Sequence, residues 1–131
     1  MINIFSKYKI IFHLINFFLI ILYVYPGSIF GLIIYNNLKI QPQITPDFIV
    51  SSNHFYVFVL FSIIGLLTFV TIKQLKNLKF YLVFMSIILE IFHLIIPDRS
   101  FQWSDLFGNL LGVLVVIFIN NLINKYGIFK K

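Results

Sequence analysis

The stretch EIFHLIIPDRSFQWSDLFGNLLG, residues 90–112, closes one apolar block, turns, and opens another. It holds Glu90, Asp98 and Asp105, three of the chain's four acidic residues. Glu90 lies within the apolar run 80–96, and a carboxylate in a membrane-length apolar segment costs roughly 3 kcal/mol or more to place there. Such a group faces a partner, a wet cavity or a substrate rather than lipid. Pro97 cannot continue a helix, so the stretch reads as a helix end, a short turn and a helix start. A search for function therefore starts in this stretch.

Outward from it, the composition names the solvent. Of 131 residues, 60% are hydrophobic and 11% charged, with a mean hydropathy of +1.00. A soluble domain of this length has too little interior to hide that much apolar surface, which points to a membrane. The 17 Phe and 7 Tyr suit lipid-facing helices and interface belts. With no Cys, disulfides, thiolate nucleophiles and thiolate metal sites are excluded. The net charge of +6 sits at the edges of apolar blocks, where anionic headgroups rather than nucleic acid are the expected partners.

Four apolar blocks, 10–25, 55–72, 80–96 and 106–123, each approach the roughly 20 residues that a helix needs to cross the hydrocarbon core. Unbroken apolar runs of this kind read as spanning helices rather than as alternating barrel strands. The fold expected is all-α, a single polytopic domain over residues 1–131 with four transmembrane helices. Pro26-Gly27 interrupts the first block, which can continue, kinked or re-entrant, through residues 28–35. That block is read as a helix rather than a cleaved leader, because it is long and no small-x-small cleavage site follows.

Eight of the ten basic residues fall on one side of this topology. Lys7 and Lys9 precede the first block, Lys73, Lys76 and Lys79 separate the second from the third, and Lys125, Lys130 and Lys131 follow the fourth. Lys39 and Arg99 occupy the other two connections. The positive-inside rule then places both termini in the cytoplasm and the connections 36–53 and 97–105 outside.

On the third block Ser86, Glu90, His93 and Pro97 recur at helical spacing and share a face. Glu90 with His93 can form a hydrogen-bonded pair, a proton relay or two metal ligands. With one such pair, no Cys and two other His residues, no metal site and no cofactor are assigned. Arg99, the sole arginine, offers a rigid fork of donors to Glu90 or to a lipid-linked phosphate, unless it simply snorkels at the interface. Trp103 fits an interface anchor. Ser104 or Asp105 can cap the fourth helix, where negative charge suits the dipole. Asp105, Gly108, Asn109 and Gly112 share a face. Gly108-x-x-x-Gly112 is the small-residue spacing that lets membrane helices approach, and Asn109 offers an interhelical hydrogen bond. His54 heads a stripe through Phe61, Ser62, Gly65 and Thr68 and sits level with the outer cluster, as an interfacial residue or a further proton carrier. His13 and Asn16 lie towards the other end. The polar set is thus His54, Glu90, Arg99, Asp105 and Asn109, with Gly108 and Gly112 for packing.

Glu90, then Pro97 and Arg99, then Ser104-Asp105, Asn109 and Gly112, preceded by His54, resemble the VanZ-like family of small bacterial membrane proteins, over roughly residues 51–116. The resemblance implies a multi-pass protein of the bacterial cytoplasmic membrane and an association with the cell envelope and glycopeptide (teicoplanin-type) resistance. The family commonly carries an Asp-Lys pair where this chain has Val50 and Ser51, and Asp47 lies farther upstream. The function expected is an outward-facing polar pocket that binds or shields an envelope component such as a lipid-linked headgroup. The alternatives are a membrane enzyme acting on a lipid-linked substrate, with Glu90 or His54 as general base, and a structural helix-packing subunit.

The distribution of basic residues generates a direct test. Reporter fusions after Lys76 and Lys131 should read as cytoplasmic and fusions near Gln43 and Ser100 as external. Fusions at Lys76 and Gln43 reporting the same side would refute the four-span topology.

Overall fold

Pro26 and Gly27 split the first apolar block into two helices, α1 (Ile4–Val24) and α2 (Ile29–Tyr35), which meet at an 83° bend. Gly27 turns the corner with a φ of +116°, a conformation that a residue with a Cβ rarely adopts. Ser28 then caps α2, its hydroxyl accepting the Gly31 N–H at 2.9 Å. Three longer helices follow, α3 (Ser52–Thr68), α4 (Ile72–Phe92) and α5 (Trp103–Tyr126). The computed structural model describes residues 4–69 and 71–127, and among them all regular structure is helical.

Helix α4 departs from the sequence reading at both ends. Lys73, Lys76 and Lys79 were expected in a connection, but they lie on its first turns. The start is set by a capping box: Thr71 Oγ1 accepts the Gln74 N–H at 3.2 Å while the Gln74 side chain receives the Thr71 N–H. At the other end the helix stops at Phe92 and tightens through His93 N–H to Glu90 C=O and Leu94 N–H to Ile91 C=O. Pro97 therefore lies beyond the helix and does not share the face of Ser86, Glu90 and His93, all three of which are buried.

Among the described residues, α5 alone qualifies individually, by length and apolarity, to cross a membrane, and α1 from Lys9 qualifies only together with α2. Helix α3 is apolar but has 17 residues, and α4 carries three lysines and Glu90.

The core joins all four long helices through Phe12, Phe58, Phe61, Leu82, Leu89 and Val113. Phe12 and Phe61 stack with centroids 5.0 Å apart. The closest pairing is α3 on α5, and small residues permit it. A Cβ on Gly108 would sit 2.8 Å from the Ser51 carbonyl oxygen, and one on Gly112 would sit 2.7 Å from that of Phe55. The outward faces remain apolar: Phe80, Leu67 and Phe118 are 78, 70 and 63% exposed.

The C-terminal ends of α1 and α4 meet the N-terminal ends of α3 and α5, as the contacts of Tyr23 with His54, Asn109 and His93 require. The opposite end gathers Lys9, Lys73, Lys76, Lys79 and Lys125. There Lys79 donates to Asn121 at 2.8 Å, Lys9 stands over the Phe69 ring, and Tyr81 donates to Asn16.

Because backbone rather than a flexible side chain faces Gly112, Gly112→Ala should destabilise the bundle by about 1–3 kcal/mol. Thermal unfolding in detergent beside Leu111→Ala, at an outward-facing position, measures it. An unchanged midpoint for Gly112→Ala would show that α3 and α5 are not held at this separation.

Candidate functional site

Glu90 is fully buried near the C-terminal end of α4, and the adjacent turn brings Gln102 back over it. One carboxylate oxygen, Oε1, accepts the Gln102 N–H at 3.1 Å and faces His93 Nδ1 at 3.1 Å. The other, Oε2, is buried with no hydrogen-bond partner. His93 is held on both sides, since its Nε2 lies 2.9 Å from the Tyr23 carbonyl oxygen and its ring stacks on that of Tyr23. A ring with an acceptor at each nitrogen needs a proton on both lines. The Glu90–His93 pair supplies that second proton between them, either as imidazolium and carboxylate or as imidazole and carboxylic acid. Of the roles open to these two residues, the geometry gives the hydrogen-bonded pair, and His93 has no nitrogen to spare for anything else.

Asn109 is the next layer. Its Nδ2 donates to the Ser86 carbonyl at 3.2 Å, which turns Oδ1 towards α1 and α3. There Oδ1 accepts the Tyr23 hydroxyl at 2.7 Å and lies 3.0 Å from His54 Nδ1. In the neutral ring this puts the His54 proton on Nδ1 and leaves the Nε2 lone pair pointing towards Asp105, whose Oδ2 is 3.5 Å away. Asp105 lies in the first turn of α5 but caps nothing. The N-cap position is Gln102, without a side-chain cap bond, so the capping role expected of Ser104 or Asp105 is not taken up. With the helix starting two residues before Asp105, its carboxylate projects from the first turn onto α3 instead.

Arg99 does not pair directly with Glu90. Its guanidinium donates to the carbonyls of Leu22 at 2.9 Å, of Tyr25 at 3.1 Å and of Gly27. These are the carbonyls that the end of α1 and the following bend leave without helical partners, so the fork of donors closes the elbow. Burial lowers the Arg99 pKa from its usual value, against the opposing pull of Tyr23, Glu90 and Asp105. Trp103 is 65% exposed, apart from this network, and stacks on Phe107.

Above the network opens a cavity of about 650 Å³, lined among others by Lys39, Asp47, His54, Arg99, Gln102 and Asp105. The connection between α2 and α3 forms one wall. Asp47, too far upstream in the sequence to be placed, returns to the start of α3 and accepts the Ser52 N–H at 3.1 Å. Val50 and Ser51, where the resembled family commonly has an acid and a base, are both buried.

Of the residues singled out from sequence, His54, Glu90, Asp105 and Asn109 come together, Arg99 stands beside them on the elbow, and Gly108 and Gly112 seat α5 against α3. The residue that sequence reasoning missed is Tyr23, which contacts Asn109, His54 and His93. Its signal was a tyrosine close before Pro26-Gly27, indistinguishable in sequence from an interface aromatic. No family model, no curated protein and no solved structure matches the chain.

A lysine at position 99 cannot serve three carbonyls in a fixed fan, so both Arg99→Lys and Arg99→Gln should destabilise by about 1.5–3 kcal/mol. Thermal unfolding measures the effect. Wild-type stability in Arg99→Lys would mean that charge alone, rather than the fork, holds the elbow.

Proposed function

We propose that this chain is a multi-pass protein of the bacterial cytoplasmic membrane whose outward-facing cavity binds the polar headgroup of a cell-envelope lipid. The observation that carries the reading is a polar cavity of about 650 Å³ at the end of the bundle away from the lysine-rich helix ends. The flanks of that bundle are apolar.

Four spans are the topology that best accommodates these flanks. Helix α5 is about 36 Å long at 1.5 Å per residue, and α3, about 26 Å, packs against it along its length. If α5 crosses the bilayer, the helices packed on it lie at the same depth. Their outward residues fit lipid: Phe17 and Phe18 on α1, Leu60 and Leu67 on α3, Phe80 and Phe84 on α4. Helix α2 would be a re-entrant segment, and the lysine-rich end would face the cytoplasm. Lys39 and Arg99 line the cavity as cations and Asp47, Asp98 and Asp105 as anions. A mixed lining of this kind suits a headgroup bearing both phosphate and hydroxyl or amine groups.

The VanZ-like resemblance supports an envelope role, in which occupying or shielding such a headgroup would alter access of glycopeptide-type compounds. An enzymatic reading has one favourable observation: His54 and Asp105 both line the cavity with Nε2 and Oδ2 3.5 Å apart, so the unprotonated Nε2 of the neutral ring is a base open to it.

Native mass spectrometry of protein released from lipid tests these readings. Wild type should retain a phosphate-bearing envelope lipid, and Lys39→Ala and Asp105→Asn should lose it by at least fivefold with helicity unchanged. His13→Ala, at the far end, should keep it. Conversion of the retained lipid would select the enzyme. Equal retention by every variant would leave these polar residues to helix assembly alone.

A further inference from the structure

The sequence offers Glu90 and His93 as a metal-ligand pair and gives no reason to accept them; the fold offers a different set. His54 from α3, Glu90 from α4 and Asp105 from α5 each present a ligand atom within 4.8 Å of the other two. The His54 Nε2 to Asp105 Oδ2 separation of 3.5 Å is close to the roughly 3.4 Å between two ligand atoms in a tetrahedral site with bonds of about 2.1 Å.

We propose that His54, Glu90 and Asp105 bind a divalent transition-metal cation of the zinc or manganese class, open to the cavity. Three features support this beyond proximity. First, Glu90 is fully buried and its Oε2 has no partner, an arrangement that is costly unless something else occupies that oxygen. Second, two of the three ligands are oriented by a neighbour through the other atom. Asn109 Oδ1 takes the His54 Nδ1 proton and frees Nε2, while the Gln102 N–H and His93 hold Glu90 Oε1 and leave Oε2. This is the outer-shell pattern by which proteins fix the tautomer of a ligating imidazole and the direction of a ligating carboxylate. Third, two carboxylates, neither of them hydrogen-bonded to Arg99, neutralise a divalent charge, and one imidazole with two carboxylates is a donor set that suits zinc and manganese. His54 and Asp105 also line the cavity, so the remaining coordination positions face the space where a phosphate or hydroxyl oxygen would sit. The proposal does not depend on headgroup binding.

The test uses the full chain without an affinity tag, purified in detergent, stripped with a chelator and dialysed separately against zinc, manganese and magnesium salts. Elemental analysis should find close to one zinc or manganese per chain and little magnesium, and the bound metal should raise the thermal midpoint. At sub-saturating metal His54→Gln, Glu90→Gln and Asp105→Asn should each lower occupancy at least tenfold, and Asn109→Ser, which loosens the His54 tautomer, about tenfold or more. His13→Gln should bind as wild type does. If Glu90→Gln fails to fold, Asp105→Asn at the cavity wall and the absorption spectrum of the cobalt-loaded wild type carry the test. Charge-transfer-free d–d bands of a four- or five-coordinate ion are then expected. Wild-type uptake below a tenth of an equivalent, or undiminished uptake in the His54 and Asp105 variants, overturns the proposal. Metal uptake without lipid retention would leave it standing and remove the headgroup reading instead.

Discussion

One carboxamide, that of Asn109, ties all four long helices together. From α5 it accepts the Tyr23 hydroxyl of α1, faces the His54 ring of α3 and donates to the Ser86 carbonyl of α4. In an apolar bundle these groups have no water to fall back on, so each bond left unmade costs the desolvation of its donor or acceptor. Apolar packing alone would let the helices slide or rotate against one another with little penalty. The Asn109 node removes that freedom and sets the register in which His54, Glu90 and Asp105 converge. Gly108 and Gly112 make it possible, because only without a Cβ can the α5 backbone come close enough to α3 for a short carboxamide to reach.

A second constraint fixes the rim. The first apolar block breaks at Pro26-Gly27, which leaves carbonyls at the end of α1 open, and Arg99 reaches across from the α4–α5 connection to take three of them. The break is thereby converted from a weakness into the wall of a cavity. Arg99 also brings a positive charge near Glu90 and Asp105 without contacting either carboxylate, which moderates their repulsion while leaving Glu90 Oε2 without a partner. The two ends of the bundle thus differ in kind. Lysines of α1, α4 and α5 mark one end, and polar groups turned inward towards each other mark the other.

The sequence by itself determined a good deal. Apolar runs without alternation made the fold helical, because only helices satisfy the backbone internally over such lengths. Glu90 in an apolar run announced a partnered interior group, and the small-residue spacing at Gly108 and Gly112 announced a close helix contact. The lysine asymmetry is likewise a property of the order of residues. What composition and spacing did not supply was the capping box at Thr71, which moves the start of α4 ahead of its lysines, since a short polar motif is hidden beneath a stronger apolar signal.

Only the tertiary structure decided who meets whom. Charge alone left Arg99 open to Glu90, to a lipid-linked phosphate or to the interface, but the geometry of the elbow gives it to backbone carbonyls, which sequence never displays as unsatisfied. Asp105 was legible both as a cap and as a pocket residue, and because the helix starts two residues before it, it lines the cavity and leaves the cap position to Gln102. Tyr23 was not legible at all: its role depends on α1 lying between His54 and His93, two residues that are 39 positions apart in the chain. A pattern along the chain records what each helix can bury, whereas the meeting of three ligand atoms from three helices depends on crossing angle and rotation. These are set by long-range packing and by the Asn109 node.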